Sequence, residues 1–219
     1  MTEKVVIIGG KGTAVVIAEQ IYDAHERFGM DIEVLGFAFD DPAYKDGING
    51  WPVLCGTREA YDMFKHDESV KFVFALYRSD ILKERIALRD SLNIPINRFL
   101  SFRHPSAYVA KSAQLGQANI ILANCAINNN VVMGNYNTMQ TGSLIGHDTH
   151  IGNNNFIAAH TCIGSNLKIG NGNFTGLNCS IKNFVVMGDY DLIGMASNVG
   201  KDVSDGNILI GNPAKPLVK

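Results

Sequence analysis

From Val109 to Val199 an inward-type side chain returns at every sixth residue: Val109, Leu115, Ile121, Ile127, Met133, Met139, Ile145, Ile151, Ile157, Ile163, Ile169, Thr175, Ile181, Met187, Ile193 and Val199. Fifteen of these sixteen are aliphatic, and Thr175 is the exception. An α-helix repeats its apolar face every 3.6 residues, and a hairpin sheet shows turn signals at irregular spacing, so neither produces an unbroken period of six. The pattern predicts a β-solenoid. The residue after each inward position is Gly or Ala in twelve of the sixteen hexads, and the residue four after it is mostly small or β-branched. Together these positions form a hexapeptide repeat.

Three hexads make a coil, and the segments starting at Leu115, Met133, Ile151, Ile169 and Met187 resemble one another at a spacing of 18. That spacing stacks Asn119, Asn137, Asn155, Asn173 and Asp191 in one column. Side-chain amides stacked at about 4.8 Å can bond along the axis as a backbone ladder does. An internal ladder of this kind outweighs the alternative of a polar ligand channel.

The 219 residues, 46% of them hydrophobic, suffice to bury a core in one or two domains. A net charge of −2 with no basic block argues against a nucleic-acid partner. No apolar stretch reaches the length of a membrane span, and the opening MTEKVVIIGG lacks the flanks of a signal peptide, so a cytoplasmic protein is expected. Cys55, Cys125, Cys162 and Cys179 show no metal spacing. Cys125 and Cys179 share an interior column three coils apart, beyond disulfide reach, and all four are expected to be reduced and mostly buried.

Ahead of the solenoid the period changes. Lys4 to Ile8 form an apolar run that ends in Gly9-Gly10-Lys11-Gly12, and Thr13 opens a segment with Ile17, Ile21, Ala24 and Phe28 on one helical face. A second strand over Glu33 to Phe39 leads to Asp40-Asp41-Pro42. A third apolar run covers Val70 to Leu76, and Ser79 to Leu92 reads as a helix. This alternation predicts a small parallel α/β sheet closed off near Phe102, with ligands at the carboxyl ends of its strands.

The glycine turn fails as a dinucleotide fingerprint, because G-x-G-x-x-G read from Gly10 needs glycine at Val15. It suits a looser phosphate or sugar-nucleotide turn with Lys11 as a point charge, or a turn that only packs strand on helix. Asp40 and Asp41 could accept bonds from a ribose or base, although aspartates before Pro42 are also ordinary turn chemistry.

The G-G-x-G turn, the join Arg103-His104-Pro105-Ser106-Ala107, the solenoid with Gly146-His147-Asp148, and the ending GNPAKPL together resemble the bacterial sugar acyltransferases with a PglD-type N-terminal domain. That family includes nucleotide-aminosugar N-acetyltransferases of the bacillosamine and perosamine type and sialic acid O-acetyltransferases. The resemblance covers essentially the whole chain. It implies a Rossmann-like sugar-nucleotide domain over residues 1–103, a left-handed parallel β-helix over 104–204, and a tail over 205–219 that contributes to the coenzyme A site. It also implies acetyl-CoA as donor, no metal, and a homotrimer with active sites between subunits. General crossover rules favour the right hand, so handedness comes from the resemblance alone.

Acetyl transfer to an amine needs a base and a donor for the oxyanion, and a histidine titrating near pH 6.5 is a natural base. His147 lies two residues past inward Ile145, at a turn or outer face. The resemblance makes His147 the base and Asp148 the acid that orients it. His150 and His160 are more readily ordinary outward residues, His104 belongs to the join, and His25 and His66 read as helix-surface residues. The resemblance further assigns the acetyl-CoA thioester region to Phe156, where a relative has histidine, and to the backbone amide of Ser165 as oxyanion donor. Gly176, Leu177, Gly194 and Met195 would line the pantetheine groove, with Asn212, Pro213, Ala214 and Lys215 at the adenine end. Sugar-nucleotide contacts map to Gly10, Lys11, Asp40, Asp41 and Ala75 to Arg78. The expected activity is N-acetylation of a nucleotide-linked 4-aminosugar. Its alternatives are O-acetylation of sialic acid or a polysaccharide precursor, and a non-catalytic solenoid binding module.

Overall fold

The computed structural model describes residues 2–217; Met1, Val218 and Lys219 lie outside the described residues, the last two with the end of the expected 205–219 tail. It divides into two compact units, Met1–Leu100 and Ser101–Lys219.

The first unit is a four-stranded, wholly parallel sheet. Its elements are β1 (Glu3–Ile8), α1 (Thr13–Phe28), β2 (Ile32–Ala38), β3 (Val53–Cys55), α2 (Ala60–Phe64), β4 (Val70–Phe74) and α3 (Leu82–Ser91), and the strand order is β3-β2-β1-β4. β1 is central, and Val5 to Ile8 have no exposed surface, which is why this run is apolar without alternation. Ile17, Ile21 and Ala24 of α1 are buried, whereas Phe28 is 47% exposed and does not share their face. Gly29 ends α1 in the left-handed conformation that a helix C-terminus favours. The strand order reverses between β1 and β4, and at that point the turns after Ile8 and Phe74 come together: a Cβ on Gly9 would lie 3.2 Å from the Ala75 carbonyl oxygen. β3 and α2 carry too few residues to show a period, and the sequence reading passes over both.

The second unit is a three-faced parallel β-helix built of two-residue strands, apart from the three-residue Ile208–Ile210 near its end. Each strand pairs in parallel with the one 18 residues on, as in Thr138–Met139 against Phe156–Ile157 and Leu144–Ile145 against Cys162–Ile163. Phe102–Arg103 already pair with Ile120–Ile121, so the stack starts two residues before position 104. At the far end the spacing tightens to 16, with Leu192–Ile193 against Ile208–Leu209, and Lys215–Pro216 then return antiparallel on Leu209–Ile210.

The sixfold series lines the interior, where Met139, Ile145 and Ile193 are fully buried, and Thr175 is buried with its hydroxyl donating to the Phe156 carbonyl at 3.4 Å. A second interior column carries Cys125, Ser143, Thr161, Cys179 and Ser197, all essentially without exposed surface. The expectation for the cysteines needs correction: Cys125 and Cys179 are buried, but Cys55 is only half-buried and Cys162, one residue before inward Ile163, is exposed.

The asparagine column is the predicted ladder. The Asn137, Asn155 and Asn173 backbone N–H groups donate to the Oδ1 of the asparagine one coil earlier at 2.8–2.9 Å, and Asp191 N–H donates to Asn173 Oδ1 at 2.7 Å. A second ladder runs along an outer corner with opposite polarity: Gln117, Asn135, Asn153 and Asn171 donate to the Oδ1 of the residue one coil later. Each amide thus satisfies a backbone donor that a tight corner would otherwise leave unpaired.

A further regularity sits three residues after each inward position. From Ala118 to Ala196 every sixth residue has positive φ, near 60° at most corners. Asn, Asp and Gly fill eight of these fourteen corners, as that conformation favours. Phe184 is the outlier: φ is 67° and the ring is 71% exposed. Asn occupies the same corner one and three coils earlier, at Asn166 and Asn130. Phe184→Asn is expected to stabilise the fold by about 1 kcal/mol by relieving the left-handed strain. Scanning calorimetry would read this as a rise of roughly 2–4 °C, and an unchanged or lower midpoint contradicts it.

Candidate active site

His147 and Asp148 form the turn between the strands Leu144–Ile145 and His150–Ile151. Gly146 before them allows the next coil to approach, since a Cβ there would lie 2.4 Å from the Gly164 carbonyl oxygen and 2.5 Å from Ser165 Oγ. Asp148 takes the left-handed corner, with φ of 56°. Corner geometry alone therefore accounts for an Asn, Asp or Gly here, and the use made of the carboxylate is what distinguishes this corner. Asp148 Oδ2 lies 2.6 Å from His147 Nδ1, and Asp148 Oδ1 accepts from Asn130 Nδ2 at 2.9 Å. The Asn130 amide, then the His147 ring, hold the Asp148 carboxyl below the usual carboxylate range. With Nδ1 bonded to the carboxylate, His147 Nε2 remains as a proton acceptor, and the side chain is half exposed.

Asn130 has no catalytic motif around it in the sequence. Its signal was present, because Asn130 precedes Asp148 by one coil of 18 residues.

Ser165 lies one coil after His147, as its contact with Gly146 and the bond from Asn166 N–H to the His147 carbonyl establish. Its backbone amide donates to Asn183 Oδ1 at 2.9 Å. The expected oxyanion donor is engaged by Asn183 in this structure, so a thioester oxygen would have to compete for it. Phe156 is 6% exposed and stacks on Phe174 with centroids 4.7 Å apart and planes 6° from parallel. Gly176 and Gly194 have packing reasons for being glycine, since a Cβ would lie 2.6 Å from Met195 N and from Ile210 Cγ2 respectively. Beside them Leu177 and Met195 occupy the same corner one coil apart, both exposed, as an apolar ridge. Asn198 binds the tail through Gly211 and Ala214, while Pro213 and Lys215 are exposed.

His150 is exposed on a strand, and His160 sits at a corner over Gly142. His104 is buried with Nδ1 2.8 Å from Ser106 Oγ. His25 bonds the Met30 carbonyl at 3.0 Å, and His66 lies in the turn after α2 rather than on a helix.

In the first unit, Gly10 is held by packing, because a Cβ would strike the Phe39 ring at 2.3 Å, whereas Gly12, preceding α1, faces open space. Lys11 Nζ lies 2.7 Å from Asp41 Oδ2 and 4.9 Å from the Tyr44 ring centroid. Asp41 raises the Lys11 pKa, and Lys11 followed by the Ala43 N–H lowers that of Asp41. An exposed pair of this kind is screened by solvent and weakly held, so an anionic ligand can compete for Lys11. Asp40 faces a separate cavity of about 410 Å³, lined also by Phe39, Thr57, Arg58, Glu59 and Arg85. Asp40 Oδ1 accepts from Thr57 N–H, and Glu59 Oε2 from Gly56 N–H. Burial, then the charges of Glu59 and Asp40, push the nearby Cys55 thiol up to about 11. Arg85 Nε is buried without a partner among the described residues. Arg78 does not line this cavity; it grips Asp80 through two hydrogen bonds. Arg58 and Glu59 lie in a turn before α2 and Arg85 on α3, and nothing in their local sequence marks them as a site.

No protein-family model and no curated protein matches the chain. Solved structures do. A mutant of perosamine N-acetyltransferase from Caulobacter crescentus, in complex with CoA and GDP-perosamine, superimposes with a TM-score of 0.82 at 25% identity, over 99% of this chain and 97% of that one. The chain shares its fold, end to end, with a PglD-like sugar acetyltransferase. The acetyltransferase domain of PglB from Neisseria gonorrhoeae, in complex with acetyl coenzyme A, has the same fold, with a TM-score of 0.83 at 22% identity over 99% of this chain and 100% of that one. WeeI from Acinetobacter baumannii follows at 0.79 and 19%, over 97% and 99%. By this likeness the second unit is a left-handed β-helix and the first a Rossmann-like domain. Among the described residues no helix is long and apolar enough to cross a membrane.

Proposed function

We propose that the chain is an acetyl-CoA-dependent acetyltransferase that acylates the 4-amino group of a nucleotide-linked deoxyaminosugar, with His147 as general base. The observation that carries this reading is the His147–Asp148 pair, 2.6 Å apart, on a fold shared over nearly its full length with an enzyme solved with CoA and GDP-perosamine. The amine nitrogen attacks the thioester carbonyl as His147 Nε2 takes its proton; the carbon–sulfur bond then breaks, and the imidazolium returns the proton to the departing thiolate. Asp148 fixes the ring and favours the imidazolium that forms. The exposed Leu177 and Met195 ridge suits the apolar part of the donor, and the segment with Pro213 and Lys215 its adenine end. Lys11, Asp40 and Asp41 suit the nucleotide, with Arg85, whose Nε has no hydrogen-bond partner among the described residues, as an added donor for an anion.

His147 is half exposed, and water exclusion at the thioester needs a second wall. A neighbouring copy in a homotrimer supplies it in this reading, and light scattering giving three times the chain mass is the expected result.

The test is calorimetry and steady-state assay of acetyl-CoA with UDP-, dTDP- and GDP-linked 4-aminosugars. N-acetylated product from one of them is expected. Transfer only to a hydroxyl of sialic acid or a polysaccharide precursor would replace this reading with O-acetylation, and failure to bind acetyl-CoA would leave a non-catalytic module.

A further inference from the structure

We infer that Asn130 is a positioning residue for the base: one coil before Asp148, it grips one carboxylate oxygen so that the other meets His147 Nδ1. The inference rests on the reading of His147 as base.

The geometry is a relay across two coils. Asn130 Nδ2 donates to Asp148 Oδ1 at 2.9 Å, and Asp148 Oδ2 lies 2.6 Å from His147 Nδ1. A carboxylate held at one oxygen alone can rotate about its Cβ–Cγ bond. Held at both, it is fixed in plane and direction, and with it the tautomer of the ring, because the carboxylate accepts only from an Nδ1–H. Side chains on both sides of the carboxylate are exposed, so no surrounding packing does this work. The outer ladder offers a contrast. There, asparagine oxygens accept from backbone N–H groups one coil away, and the amide nitrogen goes to the next rung or elsewhere. Asn130 departs from that use, since its nitrogen is spent on the one carboxylate that also faces a histidine. Asn130 also sits at a left-handed corner, with φ of 58°, and its backbone N–H is held by Ser112 Oγ at 3.0 Å. The corner therefore accepts Gly or Asp without backbone strain, which gives two clean variants.

Asn130→Gly deletes the grip, and Asn130→Asp keeps the shape while replacing the donor with an acceptor that repels Asp148. Two readouts on the full-length protein test the inference. The first is ¹⁵N NMR of the His147 ring, where the fraction in the Nδ1–H tautomer is expected to fall in both variants and further in Asn130→Asp. The second is steady-state kinetics with acetyl-CoA and GDP-perosamine, where kcat is expected to fall about tenfold in Asn130→Gly and more in Asn130→Asp, with KM for both substrates unchanged. Asn130→Gln, which retains the amide, is expected to recover part of kcat.

Thermal midpoints separate this from a structural role, and both variants are expected to melt with the wild type. An unchanged tautomer population in Asn130→Asp overturns the inference, whatever acceptor the enzyme uses. So does wild-type kcat in both variants while His147→Asn is inactive. An active His147→Asn instead overturns the assignment of the base.

Discussion

His147→Asn is expected to lower kcat by about 10²- to 10⁴-fold, the usual contribution of a positioned general base. Asparagine is similar in polarity but has no proton-accepting nitrogen in this range, so the attacking amine would have to lose its proton to water. KM for acetyl-CoA and acceptor should change little, because the proton is transferred only as the transition state forms. The fold should not notice: the side chain is half exposed at a turn, and its one polar contact among the described residues is with Asp148. A loss of kcat with an unchanged melting midpoint therefore isolates chemistry from stability. Residual activity within about threefold of wild type would remove His147 as the base.

Asp191→Asn carries the largest expected effect on stability. Asp191 is the last rung of the inner ladder, where the four preceding rungs are asparagine. It is 1% exposed; Oδ1 accepts from Asn207 N–H at 2.8 Å, and Oδ2 is buried without a partner among the described residues. Burial first, with the charges of Asp205 and Asp189 adding to it, pushes its pKa from 3.8 up to about 6. The folded state then binds this proton more tightly than the unfolded chain. Its contribution to stability is fully present below about pH 4 and is lost as pH rises towards about 6. A displacement of this size corresponds to roughly 2–3 kcal/mol. Asp191→Asn should therefore be more stable than wild type by about 2 kcal/mol at pH 7.5, with the difference vanishing below about pH 4. Denaturant titrations of both proteins across this range give the difference directly, so carboxylates that titrate in the opposite sense, such as Asp67 and Asp80, cancel. A difference that does not vary with pH, or a less stable variant, would refute it.

The solenoid was legible because its interior repeats: each inward column carries one kind of side chain, and a spacing of 18 states which residues touch. The asparagine ladder followed from that spacing alone. What a period does not state is which lone pair takes which N–H. Ser165 was expected to offer a free amide, yet Asn183, one coil on, already takes it. The same spacing linked Asn130 to Asp148, but the pair has meaning only once the second carboxylate oxygen is seen against His147. In the first unit the central strand and α1 were legible from their apolar runs. The cavity beside Asp40 was not, because Thr57, Arg58, Glu59 and Arg85 come from a short turn and a helix of mixed polarity, and only folding brings them together. Arg78 had the right charge, but its neighbour Asp80 claims it.

The corner that recurs every six residues also restricts how this gene can change length. Removing a single codon between Val109 and Val199 would turn every later inward residue towards solvent and shift each left-handed corner onto a residue unsuited to it. Adding or removing six would keep the inside inside, yet would turn every later side chain onto a different face and, if made between Asn130 and Asp148, break their contact. Only steps of eighteen made outside the stretch from Asn130 to Asp148 preserve both faces and contact, so a lineage of such proteins should vary in height by whole storeys, with irregular lengths confined to the roof, where the spacing has already shortened to sixteen.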